Sequence, residues 1–198
     1  MTEDDPGALP TAEADGDTHR VGTVPTLLEA AVAYARELAA QNIREITRNS
    51  SPWIDRVLGQ VNAKPGDAWC AAANFEIWLR ASRAVGVPNP CPKTAGALRQ
   101  YGIADEKFKI GAGVVRRDPA LLIAGLSFYE DHSGDPRDGQ GAGHCGLVLG
   151  WTNDPASGLV KTASGNVAPA DSHSREGTAF AIQDRPIERM LAFLDFSR

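Results

Sequence analysis

Several common functional classes are excluded by what this chain lacks. It has only three cysteines, Cys70, Cys91 and Cys145, and no C-x-x-C spacing. An odd count cannot pair fully within one chain, so at least one thiol stays free, which argues against a disulfide scaffold. The same cysteines with one well-placed histidine offer no spacing that closes four ligands around zinc. There is no phosphate loop, dinucleotide fingerprint or G-x-S-x-G elbow, and no cofactor is implied. No Lys/Arg cluster offsets the formal net charge of -5 and the pI near 5.4, which sets nucleic acid and anionic membranes aside as partners. Long apolar runs are missing too: the best candidate, Leu27 to Ala40, is interrupted by Glu29, Arg36 and Glu37, so no span is expected.

What remains is 198 residues with 42% hydrophobic content, the size and composition of one core. Residues 1–22 carry five Asp or Glu in their first fifteen positions, with Pro and Gly and no signal-peptide run; they read as a disordered acidic leader. Residues 23–198 read as a single domain, expected to be a monomer synthesised in the cytoplasm.

Thr26 followed by Glu29 is a capping-box start, and Leu28, Ala31, Val32, Ala35, Leu38 and Ala39 continue it as an amphipathic helix to about Ile46. A short helix is expected from Trp53 to Leu58. After the turn Lys64-Pro65-Gly66-Asp67, a second long helix should run from Asp67 to about Val85, ended by Gly86 and Pro88. Residues 89–125 read as short helices and loops, including Thr94 to Tyr101 and Pro119 to Ala124. The period then changes. Leu126 to Tyr129, His144 to Trp151, Leu159 to Ala163, Thr178 to Gln183 and Met190 to Leu194 are short segments between turn formers, the grammar of an antiparallel sheet. Helices first and strands afterwards give an α+β fold.

Cys70 falls three residues after Asp67, the expected N-cap, which puts its sulfur in the first turn of the central helix, where free amides and the dipole favour a thiolate. His144 opens a strand whose alternation places Gly146, Val148 and Gly150 on its face and Cys145, Leu147 and Leu149 on the other. A thiol at a helix start packed on a strand presenting an imidazole is the arrangement a cysteine hydrolase needs. By parity Cys145 is a core residue, and His132 and His173 are solvated loop histidines. Continuing the strand from Leu159 would put Ser164 and Asn166 on one face, making Asn166 the candidate to orient the imidazole, with an ordinary turn former as its bland alternative. Trp53, Trp69 and Trp151 read as groove-lining or core residues.

At these residues the sequence resembles the CHAP family, the cysteine, histidine-dependent amidohydrolases and peptidases of bacteria and their phages. Gly66-Asp67-Ala68-Trp69-Cys70-Ala71-Ala72 is similar to the family's nucleophile segment, Asn89-Pro90-Cys91-Pro92-Lys93-Thr94-Ala95-Gly96 to a stretch that follows its central helix, and Gly143-His144-Cys145-Gly146-Leu147-Val148 to its histidine block. Ser164-Gly165-Asn166 and Ser174-Arg175-Glu176-Gly177 resemble its C-terminal blocks.

The resemblance implies a papain-like fold, Cys70 as nucleophile, His144 as base and Asn166 as the supporting polar residue, acting on amide bonds of peptidoglycan stem peptides. Ser164 stands where many relatives have Glu and cannot supply a carboxylate. Two other readings follow: a catalytically inactive binding or interaction domain on the same fold, and a cysteine peptidase acting on proteins. Without a signal peptide, action at the cell wall or periplasm would need lysis or specialised export, and an exported toxin would need a neutralising immunity protein.

Overall fold

The structure is a computed structural model that describes residues 24–132, 143–168 and 177–198. The expected acidic leader, His19, His173 and the Ser174-Arg175-Glu176 block lie outside the described residues. The described residues form an α+β fold: five α-helices, the last ending at Arg117, and a six-stranded antiparallel sheet.

Helix α1 (Leu27–Ala40) starts on the expected capping box, with the Thr26 N–H donating to Glu29 Oε2 at 2.8 Å and the Glu29 N–H to Thr26 Oγ1 at 3.3 Å. It stops before the expected Ile46. Asn42 takes a φ of 51°, and the chain then runs beside the start of the edge strand Ala179–Pro186: the Phe180 N–H donates to the Ile43 carbonyl and the Glu45 N–H to the Thr178 carbonyl. An open sheet edge offers backbone partners that a continued helix would forgo. Helix α2 (Pro52–Gln60) is capped by Ser51 with Pro52 in its first turn, where the missing proline N–H costs nothing.

Helix α3 (Cys70–Val85) is buried along most of its length and closes on Gly86 with a left-handed φ of 75°. It begins three residues later than expected. The Asp67 carboxylate is taken by the Lys64 N–H at 2.8 Å, so it closes the preceding turn; Trp69 is the N-cap and supplies no side-chain bond. Cys70 is therefore the first helical residue. Helices α4 (Ala97–Ile103) and α5 (Ala112–Arg117) are short, and only Pro119–Leu121 of the expected segment at 119–124 forms a 3-10 turn.

Strands β1 (Lys109–Gly111), β2 (Ser127–Asp131), β3 (Gly143–Trp151), β4 (Leu159–Val167), β5 (Ala179–Pro186) and β6 (Met190–Leu194) line up in the order β1-β6-β2-β3-β4-β5. Strand β1, three residues long, was not legible as a strand. Tyr129, Cys145, Leu147, Leu149 and Ala163 face the main helical core with Trp69, Cys70, Ile77 and Trp78. Phe128, Val148, Val160 and Phe193 face a smaller core under Val115 and Leu122. Among the described residues no helix is long and apolar enough to cross a membrane.

Candidate active site

Close packing of α3 on β4 brings Cys70 to the middle of the sheet. Ala71, Ala72 and Ala73 keep this end of the helix thin. Gly165 lets the Trp69 ring lie directly on the strand, since a Cβ at Gly165 would sit inside that ring. Trp69 is fully buried, its Nε1–H donating to Glu45 Oε1 at 3.0 Å and its ring edge-on to Trp53. Of the two readings offered for Trp69, the structure gives core.

Strand β4 pairs with β3 from Leu147↔Ala163 outward, and shifts its pairing with β5 between Ser164 and Val167. Residues Gly143 to Gly146 thus have β2 on one side and no ladder partner in β4 on the other. The Cys70 sulfur is near enough to Cys145 and to the His144 imidazole for both to act on its titration.

Cys145 is consequently more than the core residue expected from parity. It is fully buried and faces the helical core, and there its thiol meets Cys70 and lies 3.8 Å from Gln100 Oε1. Hydrogen bonding from Cys145 and then the His144 imidazole, working against burial, hold the Cys70 thiol well below the ordinary cysteine range. Burial and the adjacent Cys70 push Cys145 up, and burial alone pushes Cys91 up. The helix N-terminus acts on Cys70 in the same sense as its partners. All three cysteines are reduced.

The opposite face of β3 holds the imidazole. His144 is 8% exposed, packs its ring against Phe128, and has Nε2 at 3.1 Å from Ser164 Oγ. Gly146 makes room for this contact, because a Cβ there would meet Ser164 Cβ at 2.5 Å and the Ala163 carbonyl oxygen at 2.5 Å.

Asn166, the expected orienting residue, makes no hydrogen bond to His144 among the described residues. Its φ of 59° is left-handed, so the period-2 alternation linking it to Ser164 breaks at the irregularity between Ser164 and Val167. The position next to the imidazole belongs to Ser164, the residue that reads from sequence as a departure.

Three further groups surround His144. Arg185 Nη2 lies 3.3 Å from its Nε2, Glu130 stands opposite it in the β2–β3 register, and the His132 ring stacks on it at 6.4 Å with a 12° interplanar angle. His132 Nε2 also lies 3.1 Å from Glu130 Oε2, so it is not the solvated loop histidine expected. The available signal was a charge in each of two strands: Glu130 follows Ser127-Phe128-Tyr129, and Arg185 falls near the end of β5.

No family profile, curated protein or solved structure matches the chain. Among the described residues no group of three or more His, Cys, Asp or Glu is arranged to hold a metal ion. The chemistry open to this site is that of a thiolate at a helix start beside an imidazole: attack on an electrophilic carbon, with a proton donor or acceptor at hand.

Proposed function

We propose that this protein is a cysteine-dependent hydrolase of papain-like arrangement that cuts amide bonds in bacterial peptidoglycan. The observation that carries the reading is the placement of Cys70 as first residue of the buried helix α3, packed on β3 and near enough to His144 for the imidazole to help hold its thiol down. The substrate class rests on the resemblance of the Trp69-Cys70-Ala71-Ala72 and Gly143-His144-Cys145-Gly146 blocks to the CHAP family.

In this reaction the Cys70 thiolate attacks an amide carbonyl of the peptide stem. The Cys70 backbone N–H, at the first helical position and without an intrahelical acceptor, faces the developing oxyanion. His144 protonates the leaving amine, and water then clears the thioester with His144 as base. Ser164 Oγ at Nε2 orients the ring in place of a carboxylate or amide.

Purified peptidoglycan is the direct test. Cys70→Ala and His144→Ala should each abolish fragment release, read by mass spectrometry of the soluble products, with unchanged circular dichroism. Full activity in both variants ends the reading. The fragments themselves identify the bond.

A second reading, a binding domain that has lost catalysis, is favoured by the enclosure of the pair: Cys70 is 5% and His144 8% exposed. Iodoacetamide separates the two. A hydrolase site alkylates Cys70 faster than a free thiol at neutral pH, and a retired site does not.

A further inference from the structure

Glu130 is a buried carboxylate on the sheet face that carries His144. Its side chain is 1% exposed, and it stands opposite His144 in the β2–β3 register. An ionised carboxylate at such a depth needs partners. Among the described residues it has two: Arg185 Nη1 at 2.9 Å and His132 Nε2 at 3.1 Å. Burial pushes the Glu130 carboxyl up, but the His132 hydrogen bond and the charges of Arg185 and His144 outweigh it and hold the group below its ordinary value. The pair is incompletely satisfied, because Glu130 Oε1 and Arg185 Nε have no hydrogen-bond partner among the described residues. Stability alone is a poor reason to keep such a pair.

The same guanidinium touches the base. Arg185 Nη2 lies 3.3 Å from His144 Nε2 and 3.1 Å from Gln183 Oε1. Arginine has donors only and keeps its charge. Its contact with Nε2 therefore requires the lone pair of that nitrogen, and the proton of the neutral ring sits on Nδ1. If the ring takes up a second proton, Nε2 becomes a donor. Ser164 Oγ, 3.1 Å away, can accept from it, while Nη2 keeps Gln183 Oε1.

We propose that Glu130 and Arg185 are a positioning pair for His144: Arg185 holds Nε2 as an acceptor in the resting ring, and Glu130 supplies the counter-charge that allows the ring to become imidazolium. Glu130 thereby returns, from the neighbouring strand, the carboxylate that position 164 lacks. The inference rests on the reading of Cys70 and His144 as nucleophile and base. Among the described residues the groups around the ring are Cys70 on α3, Glu130 on β2, His132 after it, Ser164 on β4 and Arg185 on β5, with Cys145 on the opposite face of β3. Cys145 and His144 act most strongly on the sulfur, and His144 is the group that Arg185 touches directly.

The pH profile of Cys70 alkylation by iodoacetamide tests this in the whole protein. Glu130→Gln leaves the arginine charge uncompensated beside the ring, disfavours imidazolium, and moves the midpoint up. Arg185→Gln does the reverse and moves it down. Each displacement is about one pH unit, or roughly tenfold in rate below the midpoints, and the double variant returns close to the parent. A merely structural pair would shift both single variants in the same direction or neither, and either result overturns the proposal.

Should a single variant fail to fold, nitrogen-15 spectra of the unaltered protein decide: a neutral His144 protonated on Nδ1 is expected, and one protonated on Nε2 overturns the proposal. Neither readout uses peptidoglycan. Opposed shifts in a protein that releases no wall fragments would keep the pair and discard the substrate, and hydrolysis without the shifts would do the opposite.

Discussion

Cys145, the strand residue next to the histidine, lies close enough to Cys70 to hold its thiol down. That makes Cys145 a stabiliser of the thiolate. Cys145→Ala should raise the pH at which Cys70 becomes reactive, because its hydrogen bond is the largest influence holding the Cys70 thiol down. Alkylation at neutral pH should slow by about tenfold, the effect of one pH unit, with the plateau at high pH retained. An unchanged profile would remove Cys145 from the site.

Selectivity among the three thiols follows from the same shifts. Burial pushes Cys91 and Cys145 up while Cys70 is held down, so brief treatment of the native protein with iodoacetamide should add one carbamidomethyl group, on the peptide containing Cys70. In denaturant all three should react. Equal labelling in the native state would contradict the assignment.

Ser164 and Asn166 can be told apart. Ser164→Ala removes the hydroxyl at His144 Nε2, worth about 1 kcal/mol or roughly fivefold in rate. Asn166→Gly keeps the left-handed backbone at φ 59° and should leave the rate of fragment release within a factor of two or so of the parent. A larger loss in Asn166→Gly than in Ser164→Ala would restore the orienting role expected of Asn166.

Acid stability should carry a signature of Glu130. Its carboxyl is held below its ordinary value of 4.5 in the folded chain, so the unfolded chain binds this proton first as the pH falls. Its stabilisation is fully present above that ordinary value and is lost as the pH drops through the folded one. Urea unfolding of the parent and Glu130→Gln across this range should show a steeper acid loss in the parent. Parallel curves would mean that Glu130 is not held down.

Gly165→Ala should cost about 1–3 kcal/mol, because a Cβ there enters the Trp69 ring and meets Ala73 Cβ at 3.0 Å. Thermal unfolding measures it, and since Trp69 immediately precedes Cys70, alkylation should slow as well. A parent-like melting temperature would mean that the helix start can move away from β4 at little cost.

Much of this protein was legible in its residues because it depended on local rules. The Thr26 and Glu29 capping box, the apolar stripe of α3, the alternation in β3 and the nucleophile and base candidates each follow from spacing within a few residues. Parity correctly placed His144 and Cys145 on opposite faces. The tertiary structure decided what those faces meet. The packing of α3 on β3 and β4 sets Cys70 near Cys145, and that gives Cys145 a role that parity denied it. The bend at Asn166 hands its expected place to Ser164. Glu130 and Arg185 lie 55 residues apart in the chain, and only the order β2-β3-β4-β5 places both of them beside His144. Local sequence encodes which way a side chain points from its own strand; the company it keeps there depends on pairings between distant segments, which no short stretch of residues specifies.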